Sequence, residues 1–204
     1  MDIVFATGNA HKLHEAERIL GPSFRLLTPR QVGVEDDIPE WEATLIGNAQ
    51  AKARYIYERT RLDCFADDTG LEVDALGGAP GVLSARYAGP AHDSAANMAL
   101  LLRNMEGKTD RRACFRTVVA LILGGGEHLF EGEVRGRLAT SPSGEVGFGY
   151  DPIFIPEGYQ ITFAQMSLEE KNTISHRARA LQKLARFLQP ANLFEAEKGR
   201  GELF

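Results

Sequence analysis

Ala113-Cys114-Phe115-Arg116-Thr117-Val118-Val119-Ala120-Leu121-Ile122-Leu123, then Gly124-Gly125-Gly126, then a second run from His128 to Leu138, decides how this chain folds. Both runs read as strands, and the glycines between them accept the positive φ of a tight hairpin turn. Upstream the pattern changes. Ile3-Val4-Phe5-Ala6 is a short apolar run bounded by Thr7-Gly8-Asn9, as expected of a buried strand. Asn9 suits a helix N-cap, Leu13, Ala16 and Leu20 recur at helical spacing, and Gly21-Pro22 supplies a stop. A second helix is expected over 43–60, with Leu45, Ala49, Lys52-Ala53 and Ile56 on one face. Leu62 to Ala66 reads as another strand, ending in a turn at Asp67-Asp68-Thr69-Gly70.

A glycine-rich stretch over 77–81 leads to Ser84-Ala85-Arg86-Tyr87, and a third helix is expected from an Asp93 cap to Gly107. Its apolar side carries Met98, Leu101, Leu102 and Met105, suited equally to a core or an interface. Beyond the hairpin come a loop with Phe148-Gly149-Tyr150-Asp151-Pro152 and a short run Ile153-Phe154-Ile155. Ser167 to Glu170 has capping-box spacing, and the last long helix holds Ala178, Leu181, Leu184 and Leu188 before Pro190. Strands and helices mix without strict alternation. The class that follows is α/β, with a mixed sheet carrying an antiparallel part rather than a purely parallel doubly wound sheet.

The chain has 204 residues, enough for one domain, residues 1–204, with a core of its own. Charged residues make up 25% and hydrophobic ones 44%, which excludes wholesale disorder. A formal net charge of −5 counts against tracking a nucleic-acid polymer. Cys64 and Cys114 each sit in an apolar run without metal-ligand spacing, so a reduced, buried pair is expected. No secretory leader is evident, and Val118 to Leu123, the longest aliphatic run, is too short to cross a membrane. A cytoplasmic protein without membrane partners is the expectation.

Thr7-Gly8-Asn9-Ala10-His11-Lys12 places a strand end, a glycine turn and a helix start in succession. Free N–H groups there favour an anion, and a lysine in the first turn opposes the helix dipole unless a negative group compensates it. The plainer reading is an ordinary turn with a surface lysine. Asp67 and Asp68 are adjacent, so their carboxylates point to different sides. Mg²⁺ is held by one or two carboxylates with waters and substrate phosphates, and a carboxylate beside it can activate water. Asp36-Asp37, Glu40 and Glu42 offer a further ligand, or simply a solvated loop. Lys171, His176 and Arg177 gather near the start of the last helix, where an exposed first turn would look the same. Phe148-Gly149-Tyr150-Asp151 suits a planar base, and equally a buried aromatic corner.

Two patterns fail. Gly107-Lys108-Thr109 resembles a P-loop ending, but position 102 is leucine and a helix precedes it. His11 and His14 lack a third ligand for zinc.

Five blocks in order bring out a resemblance. They are Phe5-Ala6-Thr7-Gly8-Asn9 with Lys12 and Glu15; Asn48-Ala49 with Lys52-Ala53; Ala66 to Gly81 running into Ser84 to Gly89; Gly147 to Phe154; and Lys171 with Ile174-Ser175-His176-Arg177. Over nearly its whole length the chain resembles the inosine/xanthosine triphosphate pyrophosphatases. That resemblance implies Mg²⁺-dependent hydrolysis of ITP, dITP and XTP to the monophosphate and pyrophosphate, clearing them from the nucleotide pool. It implies an elongated α/β fold with two lobes around a nucleotide cleft, and a homodimer. Residue by residue, it implies that Thr7, Gly8, Asn9, Ala10, His11 and Lys12 hold the triphosphate. Asp68 would be the catalytic acid/base and a metal ligand, Glu40 a second metal ligand, and Thr69 a substrate contact. Phe148, Gly149, Tyr150, Asp151, Lys171, His176 and Arg177 would frame the nucleotide and its base.

The chain departs from the family pattern at Thr69, often serine, and at Gly47, often acidic, which leaves Glu40 as the better second ligand. Two other classes stay open. An aspartyl-phosphate phosphatase would need two aspartates one residue apart, whereas Asp67 and Asp68 are adjacent. A non-catalytic purine nucleotide-binding module would bind without hydrolysis.

Overall fold

The computed structural model describes residues 1–189, so Pro190 and the tail after it lie outside the described residues. The elements run β1 (Asp2–Phe5), α1 (Ala10–Leu20), β2 (Arg25–Leu27), α2 (Leu45–Thr60), β3 (Cys64–Val73), β4 (Pro80–Gly81), α3 (Ser94–Asn104), β5 (Arg112–Leu123), β6 (Gly126–Leu138), β7 (Phe154–Pro156), α4 (Leu168–Ile174) and α5 (His176–Phe187). The strands form one sheet in the order β2-β1-β3-β5-β6-β7, with β4 beside β3. β1 pairs parallel with β2 and β3, and the other pairings are antiparallel. The α/β class and the mixed sheet are therefore as the sequence predicts.

The hairpin forms at its glycines. Gly124 and Gly125 both have positive φ, 53° and 82°, and β5 and β6 then pair from Leu123↔Gly126 to Arg112↔Arg137. β3 corrects one expectation. Asp67-Asp68-Thr69-Gly70 is not a turn but the middle of a ten-residue strand. It stays in register with β5 throughout, Asp67 opposite Val119 and Asp68 opposite Val118. A polar quartet here can remain extended because every backbone group on the β5 side is paired and each carboxylate meets a cation.

On its other edge β3 has β1 only at Cys64 and Phe65, and β4 only at Leu71 and Glu72. Between these contacts, no strand pairs with Asp67–Gly70 on that side. This gap lies beyond the carboxyl end of parallel β1, where open α/β sheets bind ligands.

Three apolar clusters flank the gap. One packs α1 and α5 on the sheet face holding Phe65, Val119 and Leu121. The second packs α2 on the opposite face, against Ala66, Val118 and Ala120. The third lies farther along the strands, where Leu71, Phe115 and Val134 meet Leu101, Met105, Phe154 and Phe163. The apolar side of α3 thus belongs to the core. The helix ends at Asn104, short of the expected Gly107. Cys64 and Cys114 are free and buried, and burial pushes the Cys64 thiol up to about 12.

α5 crosses β6 closely enough that residue 132 must lack a side chain. A Cβ on Gly132 would collide with the His176 carbonyl and lie 2.6 Å from the Ala180 nitrogen. These are helix backbone atoms, which yield only if α5 moves. Gly132→Ala is therefore expected to destabilise the fold by about 1–3 kcal/mol, as overpacked cores do. A melting curve of the variant checks this, and an unchanged Tm would show that α5 moves freely on β6.

Candidate active site

The gap along β3 is furnished from three directions. From one side comes the start of α1. Asn9 caps it, its Oδ1 accepting from the N–H of His11 at 2.9 Å and of Lys12 at 3.2 Å, while Asn9 N–H donates to Thr7 Oγ1. Several N–H groups expected to be free here are therefore held by the protein's own cap. Gly8 and Ala10 N–H are not spent in this way. The lysine that opposes the helix dipole is compensated internally, because Lys12 Nζ donates to Asp67 Oδ1 at 2.8 Å.

Asp67 and Asp68 do face opposite sides of the sheet, because successive strand residues alternate. Asp67 meets Lys12 and, at 3.0 Å, Arg177 Nε. Burial alone would push its pKa up, but Lys12, Arg177 and Lys52 override burial and hold it well below the usual carboxylate range. Asp68 faces α2, where Lys52 Nζ donates to its Oδ1 at 3.1 Å and Asn48 Nδ2 to its Oδ2 at 3.2 Å. Burial pushes the Asp68 carboxyl above its ordinary value, against the pull of Lys52. The two neighbours thus differ in proton affinity, as groups in distinct roles do.

Lys52 also donates to Glu40 Oε1 at 2.6 Å, which brings Glu40 and Asp68 onto one ammonium. Lys52 itself is kept charged: desolvation lowers its pKa, but Asp68 and Glu40 raise it further. Neither Lys52 nor Asn48 was singled out as a site residue by the sequence reading. The helical spacing placed Lys52 beside the apolar stripe of α2, and a buried lysine on a core face is itself the signal.

The third side is α4, α5 and the loop before them. Lys171 lies in the middle of α4 rather than at the start of the last helix, and His176 and Arg177 open α5. All three are buried, 1–3% exposed, so the exposed-turn reading does not hold. Glu15 on α1 binds both cations, accepting from Lys171 Nζ at 2.7 Å and from Arg177 Nη1. Lys171 also donates to Asp151 at 2.7 Å, and Arg177 Nη2 to Thr69 Oγ1 at 3.3 Å. Thr69 shares a 2.7 Å hydrogen bond with Thr117 across the strands.

The aromatic loop divides by role. Asp151 is buried and its carboxylate accepts from Phe148 N–H, pinning the loop; Gly147, with φ +86°, has no room for a Cβ beside it. Tyr150 is buried with its hydroxyl donating to Ser84 O. Of this segment, Phe148 and the Gly149 backbone are therefore what a base could meet. The Phe148 ring stacks on His11 at 5.3 Å and lies under Lys171 and Arg177. His176 is stacked on Phe115 at 4.5 Å, and its Nδ1 is buried without a partner. Burial, with Arg177 and Lys171 nearby, lowers its pKa well below the ordinary value, so the ring is neutral.

Glu40 and Asp68 are the pair suited to a hard cation. Among the described residues no group of three or more acidic, histidine or cysteine side chains could hold a metal unaided. Two carboxylates completed by substrate phosphates and water is the mode Mg²⁺ uses. The acidic stretch beside them is otherwise solvated, with Asp36, Asp37 and Glu42 exposed.

Asp67→Asn leaves Lys12 and Arg177 short of a buried counter-charge, which typically costs about 3–5 kcal/mol. A depressed carboxylate stabilises the fold fully above its ordinary value of 3.8, and that contribution fades as pH falls toward the lower folded value. Calorimetry should show a large Tm deficit for Asp67→Asn at pH 7 that narrows below pH 3.8. A deficit independent of pH would assign the loss to packing instead.

Comparison with known proteins places the chain in a family. The model of the Ham1 family matches residues 3–187. The dITP/XTP pyrophosphatase of Flavobacterium psychrophilum is 48% identical over 189 residues, covering 93% of this chain and 100% of that protein. The dITP/XTP pyrophosphatase of Porphyromonas gingivalis is 50% identical over 187 residues, covering 91% and 96%. Among solved structures, the Staphylococcus aureus Ham1 protein superposes with a TM-score of 0.83 at 38% identity, covering 92% of this chain and 98% of that one. With a family model spanning all five blocks and relatives of this identity, the chain belongs to the Ham1 family.

Proposed function

We propose that the protein hydrolyses non-standard purine nucleoside triphosphates (ITP, dITP and XTP) to the monophosphate and pyrophosphate. The observation that carries this reading is the convergence of Asp68 and Glu40 on Lys52 beside the α1 start, at an unpaired strand edge. The names of the relatives support it. In this reading residues 1–204 work as one domain whose two lobes border the gap, in a cytoplasmic homodimer. Its partner is a nucleotide, not a nucleic-acid polymer or a membrane.

Asp68 and Glu40 would hold Mg²⁺, which when bound neutralises phosphate charge and lowers the pKa of water. Asp68 accepts a proton from the water attacking the α-phosphorus. The α–β bridging bond breaks and its electron pair leaves with pyrophosphate. Lys12 and the open N–H groups of Gly8 and Ala10 take up charge on the phosphate chain. Phe148 supplies a face for the base. His176 is a neutral ring, and its one N–H would donate to a 6-keto oxygen. Arg177 is already committed to Asp67, Glu15 and Thr69 and orients the pocket rather than reading the base. Adenine presents an amino group at that position and would strand the donor.

Separation of the products formed from ITP, XTP and ATP tests this reading. Pyrophosphate and monophosphate are expected from ITP and XTP, with ATP disfavoured on the order of 10⁴-fold in kcat/KM. Stepwise release of orthophosphate, or equal rates on ATP, would overturn it. Saturable ITP binding without turnover would favour the binding-module reading instead. Asp68→Asn should abolish turnover, by about 10²-fold or more for a lost general base, and leave nucleotide binding measurable; retained activity removes Asp68 from the role.

A further inference from the structure

The charge inside the gap is nearly all spoken for. Lys12, Lys52, Lys171 and Arg177 are each tied to at least one of five carboxylates, Glu15, Glu40, Asp67, Asp68 and Asp151. A triphosphate brings several further negative charges. Buried cations that keep their carboxylate partners offset those charges only in part.

Arg86 stands apart from this bookkeeping. It lies on the short turn Ser84–Arg86 that follows β4, and its Nη1 is 3.9 Å from Glu40 Oε2, the oxygen not taken by Lys52. That is a long ion pair rather than a hydrogen bond, and among the described residues its guanidinium has no other partner. The side chain is 27% exposed, at the mouth of the gap. Arg86 therefore holds a fork of five N–H donors almost unused, three ion pairs away from Asp68 through Glu40 and Lys52.

The backbone beneath it is held from every side. Ser84 Oγ accepts from Leu71 N–H of β3 and donates to Gly81 O. Ser84 O accepts from the Tyr150 hydroxyl, and Asn97 of α3 bridges Ala85 O and Ala88 N–H. A turn anchored to β3, α3 and the aromatic loop presents its one loosely paired arginine at a fixed place. Preorganised, underused donors are what binding a polyanion requires.

We propose that Arg86 is a substrate-holding residue, whose guanidinium moves from Glu40 onto the phosphate chain, on the pyrophosphate side of the bond that breaks. This rests on the reaction proposed above. The pyrophosphate side is assigned because Arg86 reaches the gap through Glu40 and Lys52, whereas Phe148 and His176 lie with α4 and α5. Binding releases Glu40 Oε2, so phosphate and metal engagement at Glu40 are coupled.

The test uses the full chain in magnesium buffer, with inorganic tripolyphosphate and, separately, IMP as probes in titration calorimetry. Arg86→Ala should weaken tripolyphosphate about 10- to 100-fold, the worth of a charge-assisted bidentate contact. IMP affinity and Tm should stay unchanged. Arg86→Lys keeps the charge without the fork and should fall between the two. Unchanged tripolyphosphate affinity in Arg86→Ala overturns the proposal, as does equal loss of IMP or absence of tripolyphosphate binding by the unaltered protein. If the unaltered protein releases no pyrophosphate from ITP yet binds tripolyphosphate through Arg86, the reaction reading falls and the Arg86 assignment stands.

Discussion

Asp67 sits in the middle of a ten-residue strand, 1% exposed, and an unpaired carboxylate there would cost several kcal/mol in desolvation. Lys12 from α1 and Arg177 from α5 offset that cost, and both cations thereby acquire fixed positions. Arg177 in turn needs Glu15, Glu15 accepts Lys171, and Lys171 reaches Asp151, which pins the loop carrying Phe148. One buried charge thus sets the distance between the helix that faces the phosphates and the loop that faces the base. Breaking any member leaves another charge uncompensated.

The same strand divides two tasks between neighbouring residues. Strand alternation sends Asp67 to the α1/α5 face and Asp68 to the α2 face. Asp67 is held strongly ionised by its cations and acts as a structural anchor. For Asp68, burial outweighs the pull of Lys52, so its proton affinity is raised, and it stays with Lys52 and Glu40. A single residue of slippage would exchange the two environments, so the long β3–β5 register is part of the chemistry. The hairpin turn at Gly124-Gly125 sets the neighbouring β5–β6 register, and the close approach at Gly132 seats α5 on β6.

Much of this was legible in the sequence. The Asn9 cap, the periodicity of α1 and α2, the triple-glycine hairpin and the five ordered blocks all depend on local propensity or short-range pattern. Asp67-Asp68-Thr69-Gly70 misled because its composition is that of a turn. Only partners distant in the chain, β5 and three buried cations, keep it extended. Lys171, His176 and Arg177 misled for a related reason. A lysine or arginine reads as surface unless its carboxylate is in view, and Glu15 lies 156 and 162 residues away from Lys171 and Arg177. Lys52 went unassigned since its role appears only when Glu40 and Asp68 meet it.

By itself, the sequence determined the main helices, the first strand and the long hairpin, which residue types carry the chemistry, and the family to which they belong. Those features follow from side-chain period, capping and turn stereochemistry, which act over a few residues. The tertiary structure decided which charges pair, which carboxylate anchors and which stays reactive, and that Tyr150 and Asp151 serve the loop while Phe148 stacks on His11. Electrostatics in a desolvated gap depends on distance and burial in space, and neither is written along the chain.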